Sequence, residues 1–98
     1  MTFPVVFRPA ARSEFEEATL RYEGQRQGPG AQFVAEIDRA IQLAAKEPRR
    51  YRPVLRDIRC IKARRFPYSL FYLAEPHRVV VLAVFHARRD PHIWQQRA

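Results

Sequence analysis

Several features that define other protein classes are scarce or missing in this sequence. Its 98 residues include one cysteine, Cys60, so neither an internal disulfide nor a cysteine-based zinc site can form. No apolar run approaches the roughly 18 residues of a membrane-spanning helix, and the first residues lack the basic region and cleavage site of a secretory signal. We therefore expect a cytoplasmic protein with no membrane contact and one domain over residues 1–98.

Common enzyme motifs are also missing. The sequence has no G-x-x-x-x-G-K-[ST] phosphate loop, no dinucleotide-binding G-x-G-x-x-G and no G-x-S-x-G nucleophile turn. The histidines His77, His86 and His92 do not have the H-E-x-x-H spacing of a zinc site. We expect neither a metal nor a cofactor.

Acidic residues are few in the second half of the chain. Residues 1–50 carry eight basic and seven acidic side chains, whereas residues 51–98 carry ten and three. Sixteen of the 18 basic residues are arginine, whose guanidinium can clamp phosphate or carboxylate through two hydrogen bonds. A genome that prefers arginine codons would also produce the arginine bias, although it explains the uneven charge less well. The charge distribution favours an anionic partner, either nucleic acid or an acidic protein segment.

Hydrophobic periodicity predicts one strand followed by two helices. Residues 3–8 (FPVVFR) are apolar and rich in strand-forming residues. A helix over residues 10–25 is predicted by apolar residues that share one helical face, namely Ala11, Phe15, Ala18 and Tyr22. After a Gly-Pro-Gly break, a second helical repeat begins near Phe33 and should end before Pro48, because a residue that precedes proline avoids helical angles. The two helices should form an antiparallel hairpin.

The remainder of the chain predicts three strands. They cover residues 58–65 (IRCIKARR), 68–74 (YSLFYLA) and 78–85 (RVVVLAVF), with a tight turn over residues 75–77 between the last two. The continuous apolar run of the last strand indicates a central strand that is covered on both faces. The predicted fold class is α+β, with the order β-α-α-β-β-β and an antiparallel sheet packed against the N-terminal helical hairpin.

Basic and aromatic residues alternate in this strand-rich half, as in surfaces that bind single-stranded RNA or an acidic groove. The rings favour a hydrophobic core over a binding surface, whereas Arg64 and Arg65 suit a solvated face and a binding role equally. His86 ends the last strand, where a neutral imidazole could act as a general base or only hydrogen-bond to a nearby loop. Trp94 is expected to dock the C-terminal tail onto the sheet.

Four segments in sequence order resemble blocks of the RelE/ParE toxins, also described as plasmid stabilisation proteins. They read FRPAARSEFEEATLRYE, GPGAQFVAEIDRAIQLAAKEPRRY, RRFPYSLFYLAE and VVVLAVFHARRDPHIW, and together they span nearly the whole chain. The resemblance implies the toxin component of a type II toxin–antitoxin system, and the family's fold is the one predicted above. It also implies a hetero-oligomer with a cognate acidic antitoxin.

The family contains two activities, and the resemblance implies different site residues for each. RelE-like members are ribosome-dependent mRNA endonucleases, for which the candidate catalytic residues are Lys62, Arg64, His86 and Arg89. ParE-like members inhibit DNA gyrase and growth without established nuclease chemistry. The nuclease pattern transfers poorly here, since Ser69 stands where those enzymes carry a phosphate-clamping arginine, Cys60 replaces one of their two strand lysines, and their late catalytic tyrosine has no counterpart.

The ParE-like activity is therefore the leading hypothesis, with the RelE-like nuclease as the alternative. A plain basic nucleic-acid-binding module is a further alternative from another class. For contact with the target or the antitoxin we predict a set of residues from the strand-rich half: Arg59, Lys62, Arg64, Arg65, Arg88, Arg89 and Trp94.

Overall fold

The computed structural model describes residues 2–97. Its elements, in chain order, are β1 (Val5–Phe7), α1 (Pro9–Gln25), α2 (Pro29–Lys46), β2 (Pro53–Leu55), β3 (Ile58–Lys62), β4 (Tyr68–Ala74), β5 (Val79–His86) and α3 (His92–Gln95). Within the described residues, the strands form one five-stranded sheet in the order β1-β5-β4-β3-β2. The predicted α+β class, with a helical hairpin packed on a sheet, is confirmed.

The helical hairpin follows the predicted periodicity closely. Ala11 and Ala18 on α1 are fully buried, and the small alanine side chains let α1 approach its neighbours closely. Phe15 and Tyr22 pack half-buried against the same core, so the predicted apolar face is confirmed. The predicted Gly-Pro-Gly break is shorter than its composition suggests, because α2 already begins at Pro29, where proline's fixed φ suits a first helical residue.

Gly28 forms the turn that precedes α2. Its φ of 111° lies in the left-handed region, where a residue with a Cβ is strained and glycine is not. This turn leaves residues 26–28 as the whole connection between the two helices. At its other end α2 stops at Lys46, before Pro48, as predicted.

The sheet is mixed rather than wholly antiparallel. β1 runs parallel to β5, with Val5 opposite Val79 and Phe7 opposite Val81, while the other neighbouring strands pair antiparallel. The hairpin of α1 and α2 lies between β1 and the rest of the sheet in sequence, so it serves as the crossover that parallel pairing needs. Sequence alternation carries no information on strand direction, and it therefore could not reveal this pairing.

β2 is the second difference from the prediction. It lies at the edge of the sheet and pairs only with β3, through a turn that contains Arg56 and Asp57. Proline cannot donate a hydrogen bond to a neighbouring strand, so Pro53 is tolerated because this strand is an edge strand. A three-residue strand that begins with proline gives no periodic signal in the sequence.

β5 crosses the centre of the core, as its apolar run predicted. Val79, Val81 and Val84 pack against the hairpin in one cluster with Phe33 of α2, whereas residues such as Leu82 belong to the cluster on the other side of the sheet. That second face is covered by α3. Trp94 there stacks on Phe71 with ring centroids 4.0 Å apart, which confirms that the tail docks on the sheet.

Candidate functional site

A groove lies between α1 and the C-terminal end of β5. We call it the β5 groove; its volume is about 550 Å³. Polar side chains dominate its lining, which consists of Ala10, Ser13, Glu14, Glu17, Arg21, Tyr68, Val84, His86, Arg89 and Arg97. The groove exists because β1 is short. Phe7 is the last β1 residue paired with β5, so beyond Val81 this edge of β5 has no neighbouring strand.

Glu14 fills this gap in the sheet. Its carboxylate accepts a hydrogen bond from the backbone N–H of Val84 at 3.1 Å. It also accepts one from Nη1 of Arg89 at 2.7 Å and two from Arg97, both at 2.9 Å. Arg97 completes the arrangement by donating to the Leu82 carbonyl at 3.1 Å. Side chains therefore take the place of a neighbouring strand, and two groove arginines are already neutralised by an internal carboxylate.

Tyr68 and His86 face each other across β4 and β5. Their rings meet edge to face with centroids 5.0 Å apart, and Nη2 of Arg21 donates to the Tyr68 hydroxyl at 2.7 Å. Burial raises the pKa of Tyr68 although the charge of Arg21 opposes that shift, so the phenol keeps its proton at neutral pH.

His86 is held by the turn that follows it. Its Nδ1 accepts a hydrogen bond from the backbone N–H of Arg88 at 3.0 Å, and its carbonyl accepts one from Arg89 at 3.1 Å. A neutral imidazole whose Nδ1 is an acceptor carries its proton on Nε2. The ring therefore presents a donor to the groove rather than the free lone pair that a general base needs.

A second groove lies between α2 and the loop that joins β3 to β4. We call it the α2 groove; it has a volume of about 360 Å³ and is lined by Gln32, Ala35, Glu36, Arg39, Arg64, Arg65 and Phe66. Glu36 ties its two walls together, because its carboxylate accepts hydrogen bonds from Arg39 on α2 and from the backbone N–H of Arg64. The hydrogen bonds with Arg39 hold the pKa of Glu36 below its usual value, despite the opposing effect of burial.

A family model of the ParE toxin of the type II toxin–antitoxin system parDE matches residues 5–91. The chain belongs to the ParE toxin family. No curated protein sequence matches it significantly. Among solved structures, it is similar to a chain of the chromosomal ParDE system from P. aeruginosa, with a TM-score of 0.73 and 12% identity over 89% of this chain and 98% of that one.

It is also similar to a chain of the RelBE2 toxin–antitoxin complex from Mycobacterium tuberculosis. That match has a TM-score of 0.61 and 25% identity, and it covers 88% of this chain and 99% of the other. Together the matches support the resemblance to RelE/ParE toxins that the sequence indicates. This ParE-family chain is a toxin of the type II toxin–antitoxin class.

The predicted contact residues of this ParE-family chain fall into three groups. Lys62, Arg64, Arg65 and Arg88 are exposed, and they lie at the end of the sheet where Lys62 pairs with Ser69 and Tyr68 with His86. Arg89 lies at the same end, but its guanidinium binds Glu14 and sits over the Phe85 ring at 4.5 Å.

The side chains of the other two predicted contact residues, Trp94 and Arg59, are engaged in contacts within the protein. Trp94 is 7% exposed and packs on Phe71, so its ring belongs to the core. Arg59 is half-buried, and its Nη1 donates to the carbonyls of Arg49 and Tyr51. Neither side chain is free to meet a partner in this conformation.

Sequence reasoning did not predict the residues that organise the β5 groove. Glu14, Arg21 and Arg97 come from opposite ends of the chain and meet only through the parallel pairing of β1 and β5. Glu14 reads in sequence as one of several acids on α1, and Arg97 as part of a polar tail. One weak signal exists in the sequence: Glu14 lies three residues after Ala11 and four before Ala18, so it falls beside the predicted apolar face of α1.

Three further observations concern possible metal ligands, membrane-spanning helices and the free cysteine. Among residues 2–97, no three His, Cys, Asp or Glu side chains are grouped so that they could hold a metal ion. No helix of that part of the chain is long and apolar enough to cross a membrane. Burial raises the pKa of the Cys60 thiol, which disfavours the reactive thiolate.

Proposed function

We propose that this toxin arrests growth by binding DNA gyrase, performs no chemistry of its own, and is neutralised by an acidic antitoxin in a hetero-complex. One observation carries the proposal against a nuclease: the carboxylate of Glu14 already occupies Arg89 and Arg97 in the β5 groove. A nuclease needs cations there that are free to stabilise charge developing on a phosphate.

The β5 groove is also poorly suited to general-base catalysis. A general base should carry a free lone pair near neutral pH. Tyr68 keeps its proton because burial raises its pKa, and Nδ1 of His86 already accepts a hydrogen bond from the backbone N–H of Arg88. Neither side chain is prepared to remove a proton from a ribose hydroxyl.

The four nuclease candidates do not line one cavity. His86 and Arg89 line the β5 groove, whereas Arg64 lines the α2 groove. Lys62 is exposed on β3 and lines neither of these two grooves. This division of His86 and Arg89 from Arg64 supports an activity that does not depend on nuclease chemistry.

The alternative is a RelE-like ribosome-dependent mRNA endonuclease. The contact between Tyr68 and His86, with Arg21 hydrogen-bonded to the phenol, is the observation that favours it. These are acid–base and cationic side chains in one groove, and the ribosome or the mRNA would have to displace Glu14 to free Arg89 and Arg97.

Expression of the toxin without its antitoxin separates the two activities. We expect a DNA-damage response and inhibition of supercoiling by purified gyrase, while cellular mRNA stays intact. Mapped cleavage within translated codons, with normal gyrase activity, would overturn the proposal in favour of the nuclease.

Two variants make the test sharper. His86→Gln and Tyr68→Phe remove the groups that a nuclease would use for proton transfer, and we expect both to retain growth arrest. Thermal unfolding of each variant controls for stability. Loss of toxicity in both folded variants, together with loss of mRNA cleavage, would show that the groove performs chemistry.

The antitoxin surface is proposed at the basic end of the sheet. Arg64, Arg65 and Arg88 are exposed there, and no carboxylate of residues 2–97 forms a salt bridge with them. Complementary charge speeds association and excludes wrong partners. An acidic segment that folds along this end would meet three free guanidinium groups.

Charge reversal tests that surface. Arg64→Glu, Arg65→Glu and Arg88→Glu combined should weaken antitoxin binding at least tenfold in calorimetry, mainly through slower association. A control with the same charge change at three exposed arginines elsewhere, Arg8, Arg12 and Arg26, should retain most of the affinity. Equal losses in both triple variants would contradict a localised surface.

A further inference from the structure

The loop and hairpin that follow α2 form a second basic surface, which we call the 46–59 cluster. Those fourteen residues contain six basic and two acidic side chains, a net charge of +4 out of +8 for the whole chain. Arg49, Arg50, Arg52 and Arg56 are all exposed. Half of the excess positive charge therefore lies in one seventh of the sequence.

The 46–59 cluster is far from the β5 groove. Arg49 donates to the carbonyl of Ala74 at 3.0 Å, at the last residue of β4. The β5 groove contains Tyr68, the first residue of β4. At about 3.3 Å per residue, the seven-residue strand separates the two surfaces by about 20 Å.

Backbone carbonyls hold this cluster in place without neutralising it. Arg59 donates through Nη1 to the carbonyls of Arg49 and Tyr51, and this fixes the loop against β3. Nε of Arg59 is buried and has no hydrogen-bond partner among the described residues. Hydrogen bonds to carbonyls orient a guanidinium but leave its positive charge uncompensated, unlike a salt bridge.

The arginines of the 46–59 cluster are less neutralised by carboxylates than those of the β5 groove. Arg89 and Arg97 in the groove share the carboxylate of Glu14. The salt bridge that the described residues show in the 46–59 cluster joins Arg50 to Glu47. The distance between the guanidinium nitrogen and the carboxylate oxygen is long, at 3.6 Å, and both side chains are more than half exposed. Exposed pairs of this kind contribute little to stability, so the cluster has free capacity for an external anion.

The geometry points to a phosphate-binding surface: we propose that Arg50, Arg52 and Arg56 contact the sugar–phosphate backbone of a nucleic-acid duplex without reading its sequence. Rows of arginine that contact phosphates give affinity and orientation but no base recognition. Arg56 projects from the β2–β3 turn and Arg52 from the residue before β2. Two of the three arginines therefore flank β2 at the edge of the sheet.

Other partners fit the cluster less well. Single strands need exposed rings on which bases can stack, but Tyr51, the ring within residues 46–59, is half-buried and packs on the core. An acidic protein partner would need several apolar residues at the centre of the interface. Among its described residues, this segment exposes a single large hydrophobic residue, Val54, which is 53% exposed. A duplex backbone needs neither feature.

The test measures binding of the full-length purified chain to labelled 20-base-pair DNA duplexes of two unrelated sequences, across a range of salt concentrations. With about three phosphate contacts, affinity should fall about 40-fold between 50 and 200 mM salt, and equally for both sequences. Arg50→Gln, Arg52→Gln and Arg56→Gln combined should abolish most of that salt dependence.

The control replaces Arg8, Arg12 and Arg26 with glutamine, which removes the same net charge at exposed positions outside the cluster. It should bind the duplex like the parent chain. An RNA duplex of the same sequence distinguishes the two sources of a phosphodiester backbone, and binding of either duplex through the cluster supports the proposal.

Three results would overturn it: no duplex binding by the parent chain at 50 mM salt, equal losses in both triple variants, or tighter binding to a polyglutamate peptide than to either duplex. Circular dichroism of each variant confirms that it is folded. Because no gyrase, ribosome or antitoxin is present, failure here is independent of the proposed toxin function.

Discussion

Tyr72 shows how one polar atom is accommodated in the core. The side chain lies on β4, is fully buried, and its hydroxyl donates to the carbonyl of Pro48 at 2.8 Å. This bond fastens the segment after α2 to the centre of the sheet. A buried carbonyl without a donor is costly, so the hydroxyl contributes more than its small size suggests.

Tyr72→Phe is expected to lower the free energy of unfolding by about 1–2 kcal/mol, because it leaves the Pro48 carbonyl without a donor while retaining the ring. Urea denaturation measures the change. Tyr51→Phe, at a half-buried tyrosine, provides the comparison and should lose less. Equal losses would contradict a special role for the buried bond.

The same residue makes stability depend on alkaline pH. Burial raises the pKa of Tyr72 to about 12, although the charge of Arg59 opposes the shift. The unfolded chain loses this proton near pH 10 and the folded chain retains it. The stabilising effect is therefore complete below pH 10 and is lost as the pH rises to 12, by on the order of 2 kcal/mol.

Unfolding measured between pH 9 and 11.5 should show this decline in the parent chain and a shallower one in Tyr72→Phe. Phenylalanine has no proton to lose, so its folded and unfolded states do not differ at this position. Parallel declines in the two proteins would mean that other groups cause the alkaline sensitivity.

At the scale of elements, α3 is a very short helix with a large effect on packing. Its Trp94 covers the sheet face opposite the helical hairpin and stacks on Phe71. Without α3, that face would expose residues such as Leu82 that are now fully buried. α3 therefore completes the hydrophobic cluster on that face of the sheet.

Trp94→Ala should destabilise the protein by about 3–5 kcal/mol, as expected when a large buried aromatic side chain is removed. Ile93→Ala, at a neighbouring position that is 39% exposed, should cost much less. Thermal unfolding compares the two, and increased binding of a hydrophobic dye to the Trp94 variant would report the uncovered face. Similar stabilities would mean that α3 is not part of the core.

Elements with a strong period could be predicted from the sequence, whereas those fixed by long-range contacts could not. The repeat of Ala11, Phe15, Ala18 and Tyr22 predicts α1 because burial of one helical face produces that spacing. β2 is placed only by its pairing with β3, and the direction of β1 only by β5. The β5 groove depends on that direction, so its Glu14 was not predicted either.

At the scale of the whole molecule, Glu14 joins the two ends of the chain. It contacts β5 through Val84 and the C-terminal tail through Arg97. Its side chain is 10% exposed, and that of Arg97 is 19% exposed, so water screens this pair only partly. The contact therefore couples the position of the tail to that of the first helix.

Glu14→Gln should lower the free energy of unfolding by about 2–3 kcal/mol, since a neutral amide cannot balance Arg89 and Arg97. Glu16→Gln, an exposed acid on the same helix, should change it by less than about 0.5 kcal/mol. Hydrogen exchange should also show faster exchange at Val84 and in α3. Unchanged protection there would contradict the proposed coupling.

The pairing of β1 with β5 also sets the order in which the protein can form. Residue 5 has no strand partner until residue 79 is available, so the sheet closes by a contact that is remote in sequence, and such contacts slow folding. The helical hairpin needs only residues 9–46, whereas the β5 groove also needs His86, Arg89 and Arg97 and so forms only after those residues are made.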